Sequence, residues 1–472
     1  MSERLAAIVG RDHVATSEED RRAYAIDVYW SSRLQLDRNL TMPMPDLVVR
    51  PDSTQQVAAI VALANELRLP VTPYGGGSGS QGGIVPVHGG ITVDLKRMNS
   101  LLRIDEVSGI CTAQAGINGA DLEAQLNRRG WMFPHYPASA NAATLGGYLA
   151  CRGSGTLSTK YGKAEDLVLQ VEVVLPDGSI ARTLPVPSHA AGPGTLQCFL
   201  GSEGVFGIIT EATIQIAPLP SMRRFRSFLF PDLHAGLEAA RLIMRDRLDP
   251  CVMRLYDERA TIKTVQHVLG LAVASGAYMV IGFDGFEELV QVQESRAFGH
   301  CTAMRAEDLG AEAGQRWWDH RYHFYWPPKA PDLPSMIGTL DTVTTFDRLE
   351  RLYLDKRATL EREFAQWGLY YYAHFSHWFR WGGMVYDRFV IESPPAEASK
   401  ALQLHDAVWD TATRINLAHG GVLNEHHGVG LKLARHMRQQ YGEGFKLLEG
   451  IKDRIDPHHL LNPGKMGFGP PR

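Results

Sequence analysis

Paired cysteines are missing from this chain. Its five cysteines, at positions 111, 151, 198, 251 and 301, are odd in number, scattered and never in a CxxC pair. That spacing argues against a disulfide framework and a zinc–thiolate site, and makes a reducing cytoplasm the expected compartment. Long apolar runs are missing as well. The first 24 residues break their apolar stretches with charges every few positions, so no secretory signal or membrane span is expected there, and no later segment supplies one. Nor is one sign of charge in excess: 48 Lys and Arg face 52 Asp and Glu. Without a basic stripe there is no electrostatic case for nucleic acid. No internal repeat or low-complexity stretch is visible.

What is present is a globular composition, 44% hydrophobic and 21% charged, over 472 residues. That length exceeds one ordinary core and implies two or three domains. The 46 glycines are the compositional oddity, concentrated at 75–83, 146–155, 201–207 and 420–430. Glycine clusters of this kind occur where backbone must approach a ligand closely.

From about residue 41 to 220 the pattern alternates short strands with single helices. Strands are predicted at 45–51, 69–73, 91–95, 109–115, 166–175, 179–183 and 206–216, with helices at 53–67 and 119–129. Pro176-Asp177-Gly178 between two of these strands is a hairpin signal. Beyond Pro218 and Pro220 the chain becomes rich in aromatics and arginine, with helices predicted at 233–247, 345–366 and 396–418 and a loop at 327–331. Trp317, Trp318, Tyr322, Trp378 and Trp381 read as core of this second, α+β unit. The last segment, 419–472, is helical near its middle.

The densest motif is Pro73, Tyr74, Gly75, Gly76, Gly77, Ser78 and Gly79, running on to Gly83. Successive glycine amides can point into one concavity and cradle phosphate without a basic side chain. Residues 77–82 formally match GxGxxG, but the dinucleotide fingerprint needs an immediate helix and an acidic residue about 20 positions on. Here the chain continues extended and proline-interrupted through Pro86. Taken alone the loop also reads as a cluster of surface turns. Three further segments argue otherwise. Residues 137–147 offer small residues and hydroxyls, among them Ala138, Ser139, Thr144, Gly146 and Gly147. Cys151, Arg152, Gly153 and Ser154 continue that segment, and Glu203, Gly204, Gly207 and Ile209 join a glycine turn to a strand.

The second strong signal is the run from His419 to Gly430, in which Glu425, His426 and His427 precede Gly428-Val429-Gly430. Adjacent histidines each need hydrogen-bond partners, so a shared core position suits them poorly. Histidine titrates near neutrality and can exchange a proton with a substrate hydroxyl.

In order and spacing, the four glycine-rich elements resemble the FAD domain of the vanillyl-alcohol oxidase/p-cresol methylhydroxylase (PCMH-type) flavoproteins. The resemblance implies an α+β chain: a two-subdomain PCMH-type FAD-binding domain at 41–220 after an N-terminal helical segment at 1–40, a substrate (cap) domain at 221–418, and a C-terminal segment at 419–472 that returns to the FAD domain. It implies FAD as cofactor, held by the twenty residues just named from Pro73 to Ile209. The first glycine cluster has no histidine or cysteine where bicovalent members attach FAD.

Two branches of that family are similar around the histidines. Alkylglycerone-phosphate synthases carry a run of histidines before Gly-Val-Gly, and their cap resembles Met253-Arg254-Leu255-Tyr256-Asp257, the segment 341–348 ending in Asp347-Arg348, and Gly382 to Tyr386. By that resemblance Tyr386, Arg254, Arg348, His426 and His427 line the site. The arginines would pair with a carboxylate or phosphate, and Tyr386 would orient or deprotonate a hydroxyl. D-lactate and 2-hydroxyglutarate dehydrogenases carry Glu-His-Gly, and their metal-binding glutamate falls here on His426. Their His-x-Gly-Asp-Gly-Asn-x-His motif has no counterpart; the nearest region, from His374 to Tyr386, lacks the second histidine at that spacing. No bound metal is therefore expected, with His374, His377 and His426 the remaining candidates.

The sequence also departs from the synthases. Glu425 replaces the first histidine of their run, Leu461-Asn462-Pro463-Gly464-Lys465 is an ending typical of the hydroxy-acid and alcohol-oxidising members, and the final residues carry no peroxisomal Ser-Lys-Leu. These features favour an FAD-dependent oxidoreductase that oxidises the hydroxyl-bearing carbon of an alcohol, 2-hydroxy acid or 4-alkylphenol. The redox-neutral synthase reaction is the alternative. No signature selects the electron acceptor among oxygen, a quinone or a cytochrome, and a homodimer is the default expectation.

Overall fold

The computed structural model describes residues 1–323 and 333–472. The loop expected at 327–331 lies outside them. Among the described residues there are three sheets, of four, five and seven strands, and one two-stranded ribbon.

The first sheet places Leu47–Val49, Ile91–Asp94 and Val71–Tyr74 in parallel, with Val14–Ala15 antiparallel at its edge. The helix Thr54–Leu67 makes the crossover between Leu47–Val49 and Val71–Tyr74, the two strands that flank Ile91–Asp94. Its buried Val57, Ile60, Val61 and Ala64 recur at helical spacing and pack against the sheet. Ser53 occupies the N-cap position without a side-chain cap bond, and Gln56 accepts from the Asp52 amide.

The second sheet is antiparallel: Leu101–Asp105, Ile110–Gln114, Ile208–Gln215, Val168–Val174 and Ile180–Arg182 in spatial order. The Pro-Asp-Gly hairpin forms as read, with the Leu175 amide donating to Ser179 at 2.9 Å and Gly178 at φ +86°.

The third sheet is fully antiparallel, ordered Glu307–Leu309, Met222–Phe230, Ala277–Gly285, Val252–Tyr256, Tyr370–Phe379, Gly382–Ile391 and Met336–Thr345. Helices Leu233–Arg245, Phe346–Glu363 and Ala398–Ala418 fall at the three predicted places. They join one core with the strand residues Leu255, Phe375, Val385 and Phe389. On that face the Lys356 ammonium meets Asp387 at 2.6 Å with both side chains fully buried, and the Tyr371 hydroxyl donates to the same oxygen. Because side chains alternate along a strand, Arg254, Tyr256, His374, Tyr386 and Arg388 share the other face. Trp317 and Trp378 are buried as expected, but Trp381 is exposed and stacks on Phe379.

The chain end returns to the first sheet: Leu461 pairs with Val71, and the Asn462 amide donates to the Val71 carbonyl at 2.7 Å. Fully buried Lys452 ties this segment to the Val205 carbonyl at 2.7 Å. Among the described residues no helix is long and apolar enough to cross a membrane.

Candidate functional site

The strand Val71–Tyr74 runs straight into the first glycine cluster. Here two loops meet backbone to backbone. A Cβ on Gly75 would sit 2.5 Å from Thr144 Oγ1, and one on Gly76 would sit 1.9 Å from the Ala142 carbonyl oxygen. Gly77 adopts φ +63°, and a Cβ there would meet the Tyr74 hydroxyl. Only glycine permits this approach. Thr144 caps the helix Leu145–Cys151, its Oγ1 accepting from the Gly147 amide at 3.3 Å, while Gly146 packs on Ala115. Pro137, Ala138 and Ser139 lie in the turn before it, closed by the Ala140 amide donating to the Pro137 carbonyl, and a second turn follows with the Ala142 amide donating to the Ser139 carbonyl. Among the described residues the amides of Gly76, Gly77, Ser78 and Gly79 make no protein hydrogen bond. Unpaired amides on such a loop, beside a helix N-terminus, match what the diphosphate of FAD requires.

Other residues expected to contact the cofactor make contacts within the protein. Arg152, at φ +53°, donates from Nε to the Leu200 carbonyl at 3.1 Å and from Nη2 to Gln197 at 2.8 Å. Gly204 lies under Pro73, Gly207 packs on Val173, and Ile209 is buried within its strand. Glu203 faces the histidine loop: its buried carboxylate accepts from the Val429 amide and, at 2.8 Å, from the Gly430 amide. Burial pushes its pKa up to about 7, against the pull of those amides. Gly428, at φ +83°, leaves room for that carboxylate and for Cys151 beside it. The Gly-Val-Gly turn is thus seated by a glutamate more than 200 residues away in the chain.

That seating delivers the histidines to the polar face of the third sheet. The two oxygens of fully buried Asp341 divide the work. Oδ1 takes His427 Nδ1 at 2.6 Å, and Oδ2 takes the backbone amides of Glu425 and His426 at 2.8 and 3.1 Å. An ionised carboxylate can only accept, so His427 carries its proton on Nδ1 and presents a lone pair at Nε2. His426 Nδ1 stands 3.1 Å from Asp341 and 2.8 Å from Glu425, an ion-pair contact without hydrogen-bond alignment to either. Burial opposes charge on all three groups, but their mutual attraction dominates for two of them. The histidines hold Asp341 far below the usual carboxylate range, and the carboxylates lift His426 to about 9. For His427, burial and the neighbouring His426 charge outweigh Asp341, leaving it below its ordinary value. At neutral pH the pair is one imidazolium and one neutral base.

Glu425 is the second junction. Its side chain is 1% exposed and takes Ser154 Oγ at 3.1 Å, His377 Nδ1 at 3.0 Å and the Lys163 ammonium at 3.1 Å. Lys163 also donates to the Glu425 carbonyl at 2.6 Å and lies 3.2 Å from Glu165. Despite burial, Lys163 and His377 hold Glu425 well below its usual range, while burial pushes His377 down to about 4. Ser154, predicted as a cofactor contact, therefore binds this carboxylate. Asp341 with His426 and His427, and His377 with Glu425 and His426, each bring three donor atoms within 4.8 Å.

Tyr386 pairs in register with Asp341 on one side and His374 on the other. Its ring stacks on His374 at 4.5 Å and lies 5.5 and 5.3 Å from the rings of His426 and His427. Arg254 is buried on the same face, over the Trp317 ring at 5.3 Å. Arg348 is placed elsewhere: its side chain is 56% exposed, near Asp347 at 3.7 Å and against Gly420. The structure thus gathers four of the five predicted catalytic residues and leaves Arg348 at the surface.

Sequence reasoning missed Asp341, Glu425 and Lys163 as site residues. It also passed over His135, which is fully buried with neither ring nitrogen bonded and lies beside Gly153. His374 Nε2 and Ser376 Oγ are likewise buried without a partner among the described residues. Orphaned polar atoms are rare in finished cores and expected where a bound group completes them.

Residues 45–184 match the FAD binding domain, and residues 219–466 match the C-terminal domain of FAD linked oxidases. The alkyldihydroxyacetonephosphate synthase of Trypanosoma brucei brucei is 28% identical over 505 residues, spanning 99% of this chain and 80% of that protein. Glycolate oxidase subunit GlcD of Bacillus subtilis is 25% identical over 472 residues, spanning 99% and 96%. Among solved structures, p-cresol methylhydroxylase with substrate bound superposes with a TM-score of 0.79 over 99% of this chain and 96% of its own, at 18% identity, a likeness of fold.

Proposed function

The chain belongs to the FAD linked oxidases, and from that premise we propose that it oxidises the hydroxyl-bearing carbon of a small organic substrate: an alcohol, a 2-hydroxy acid or a 4-alkylphenol. Its cofactor is FAD, which when bound supplies the two-electron acceptor for the hydride leaving that carbon. On this reading residues 41–220 hold the cofactor, 221–418 cap it, and 419–472 carry the proton-transfer loop back between them. Gly75 to Gly79 would hold the diphosphate with the N-terminus of the helix Leu145–Cys151.

The observation that carries the proposal is the Asp341–His427 pair. With Nδ1 pinned at 2.6 Å, Nε2 of His427 is the atom that takes the substrate hydroxyl proton. The adjacent His426 imidazolium favours the developing alkoxide. Tyr386 orients the hydroxyl, and Arg254 attracts an anionic group on the substrate. We read the two three-residue clusters as acid–imidazole contacts rather than metal ligands, because the Lys163 ammonium, 3.1 Å from Glu425, repels a cation there.

Anaerobic mixing of the FAD-loaded protein with alcohols, 2-hydroxy acids and 4-alkylphenols tests the reading: at least one class should bleach the flavin, and bleaching by none would count heavily against it. The likeness to alkyldihydroxyacetonephosphate synthases favours a second reading, a redox-neutral exchange at the flavin. It requires an acyl-dihydroxyacetone phosphate to release fatty acid with no electron acceptor present.

A further inference from the structure

The helix Glu287–Ala303 packs beside the helix Leu233–Arg245, and Val290, Ala297 and Cys301 fasten it to the core. Its outward stripe changes character along its length. Phe286 at its N-cap, Leu289 and Val292 are 72%, 60% and 62% exposed. Further on, the exposed positions of the same stripe are Arg296, Gly299 and Ala303. From Leu289 onward these residues recur at three and four positions, so they share one face of the helix. One half of that face is bulky and apolar, and the other half is small. Three large apolar side chains standing in water side by side mark an interaction surface.

Gly299 is an independent sign of a partner. Glycine weakens a helix interior relative to alanine, so its presence there needs a reason. For Gly236 and Gly314, in other helices, the reason is packing within the chain: a Cβ would sit 2.6 Å from Leu255 Cδ1 and 2.5 Å from the Arg226 amide nitrogen. At Gly299 a Cβ would meet nothing within 4 Å, and its φ is not positive. Nothing among the described residues requires glycine at this position. A second helix approaching to about 8 Å, the short end of helix packing, does require it.

Charge is polarised along the same helix. Glu287 and Glu288 occupy the first turn, and Arg296 and His300 lie toward the other end. Glu287 faces Arg224 at 3.5 Å and His300 faces Asp246 at 2.8 Å. Glu288 and Arg296 are exposed and make no ion pair among the described residues. An acidic border disfavours an anionic lipid surface as the occupant. A copy of the same helix running the opposite way complements both the shape and the charge.

We propose that this helix is the docking surface for a second copy of the chain, packed antiparallel across a two-fold axis that passes between Val292 and Arg296. Leu289 then seats on the partner's Gly299, and Phe286 reaches over the partner's Ala303. Val292 lies under the stem of the partner's Arg296, whose guanidinium stands about one turn, ~5.4 Å, from Glu288. The two-fold axis repeats each contact, so the assembly closes as a dimer.

Sedimentation velocity of the FAD-loaded full chain over a dilution series tests it. The expected result is a dimer at micromolar concentration. Leu289→Glu, and separately Gly299→Leu, should each weaken it by about tenfold or more, with FAD content and melting temperature unchanged. Leucine is the better helix former at an open position, so dissociation of that variant is not a loss of the helix. Glu288→Arg and Arg296→Glu should each weaken the dimer singly, and the double exchange should restore it. A monomer at every concentration, or a dimer that survives both Leu289→Glu and Gly299→Leu, would overturn the proposal. Single charge variants that dissociate without rescue by the double exchange would overturn the antiparallel pairing.

Discussion

The carboxylate of Asp341 stands 2.6 Å from Nδ1 of His427, although 86 residues separate them in the chain. Asp341 lies on a sheet strand, and His427 precedes a glycine turn that the Glu203 carboxylate seats. Segments far apart in the chain must therefore pack together before His427 has its orienting partner.

Replacing Asp341 by Asn preserves shape but lets the amide face either tautomer of His427. Flavin reduction by a good substrate should slow by about 100-fold or more, the lower range for loss of a positioned general base, with FAD content unchanged. Stopped-flow reduction rates check this; a rate within threefold of the parent would remove Asp341 from the mechanism.

The pH profile of reduction should be bell-shaped. Burial and the His426 charge hold His427 below its ordinary value, so the neutral base is present at neutral pH and is lost as pH falls through an acid limb below 6.5. His426 is lifted to about 9 by Asp341 and Glu425 against burial, so its charge is lost as pH rises through that value. His426→Gln should erase the alkaline limb and leave the acid one. Persistence of both limbs would show that other groups titrate.

Much of the fold was legible before the structure, for physical reasons. The helices at 233–245, 346–363 and 398–418 show apolar residues at helical spacing, and Pro-Asp-Gly demands a hairpin. The helix Glu287–Ala303 escaped because it buries little besides Val290, Ala297 and Cys301. The strand Met222–Phe230 was equally hard to read, since its arginines fall at 223, 224 and 226 and break the alternation of a half-buried strand. The candidate site is legible in the sequence only where local motifs mark it, at the glycine loops and at His426 and His427. Asp341, Lys163 and Glu425 act through contacts between distant segments, which no local pattern encodes.

Arg254 and Arg348 look equivalent in sequence and are not in the structure. Arg254→Ala, on the buried polar face, should raise the KM of anionic substrates by roughly tenfold or more, the loss of one charge-assisted contact. Arg348→Ala, at an exposed position, should stay within about twofold in kcat/KM and within ~0.5 kcal/mol in stability. Steady-state kinetics and thermal melts of both variants decide it; a large loss at Arg348 would mean that the helix Phe346–Glu363 moves onto the substrate.

Removal of divalent metals should leave activity intact. Elemental analysis of the purified protein should find no stoichiometric metal, and dialysis against a chelator should not slow flavin reduction. Loss of activity restored by one divalent ion would instead assign His377, Glu425 and His426, or Asp341 with the two histidines, as ligands.

A net two-electron oxidation is measured most directly in a single anaerobic turnover. FAD-loaded protein mixed with one equivalent of substrate should form one carbonyl product for each FAD reduced. Fatty-acid release from an acyl-dihydroxyacetone phosphate while the FAD remains oxidised, with no carbonyl formed from any alcohol, 2-hydroxy acid or 4-alkylphenol, would contradict it.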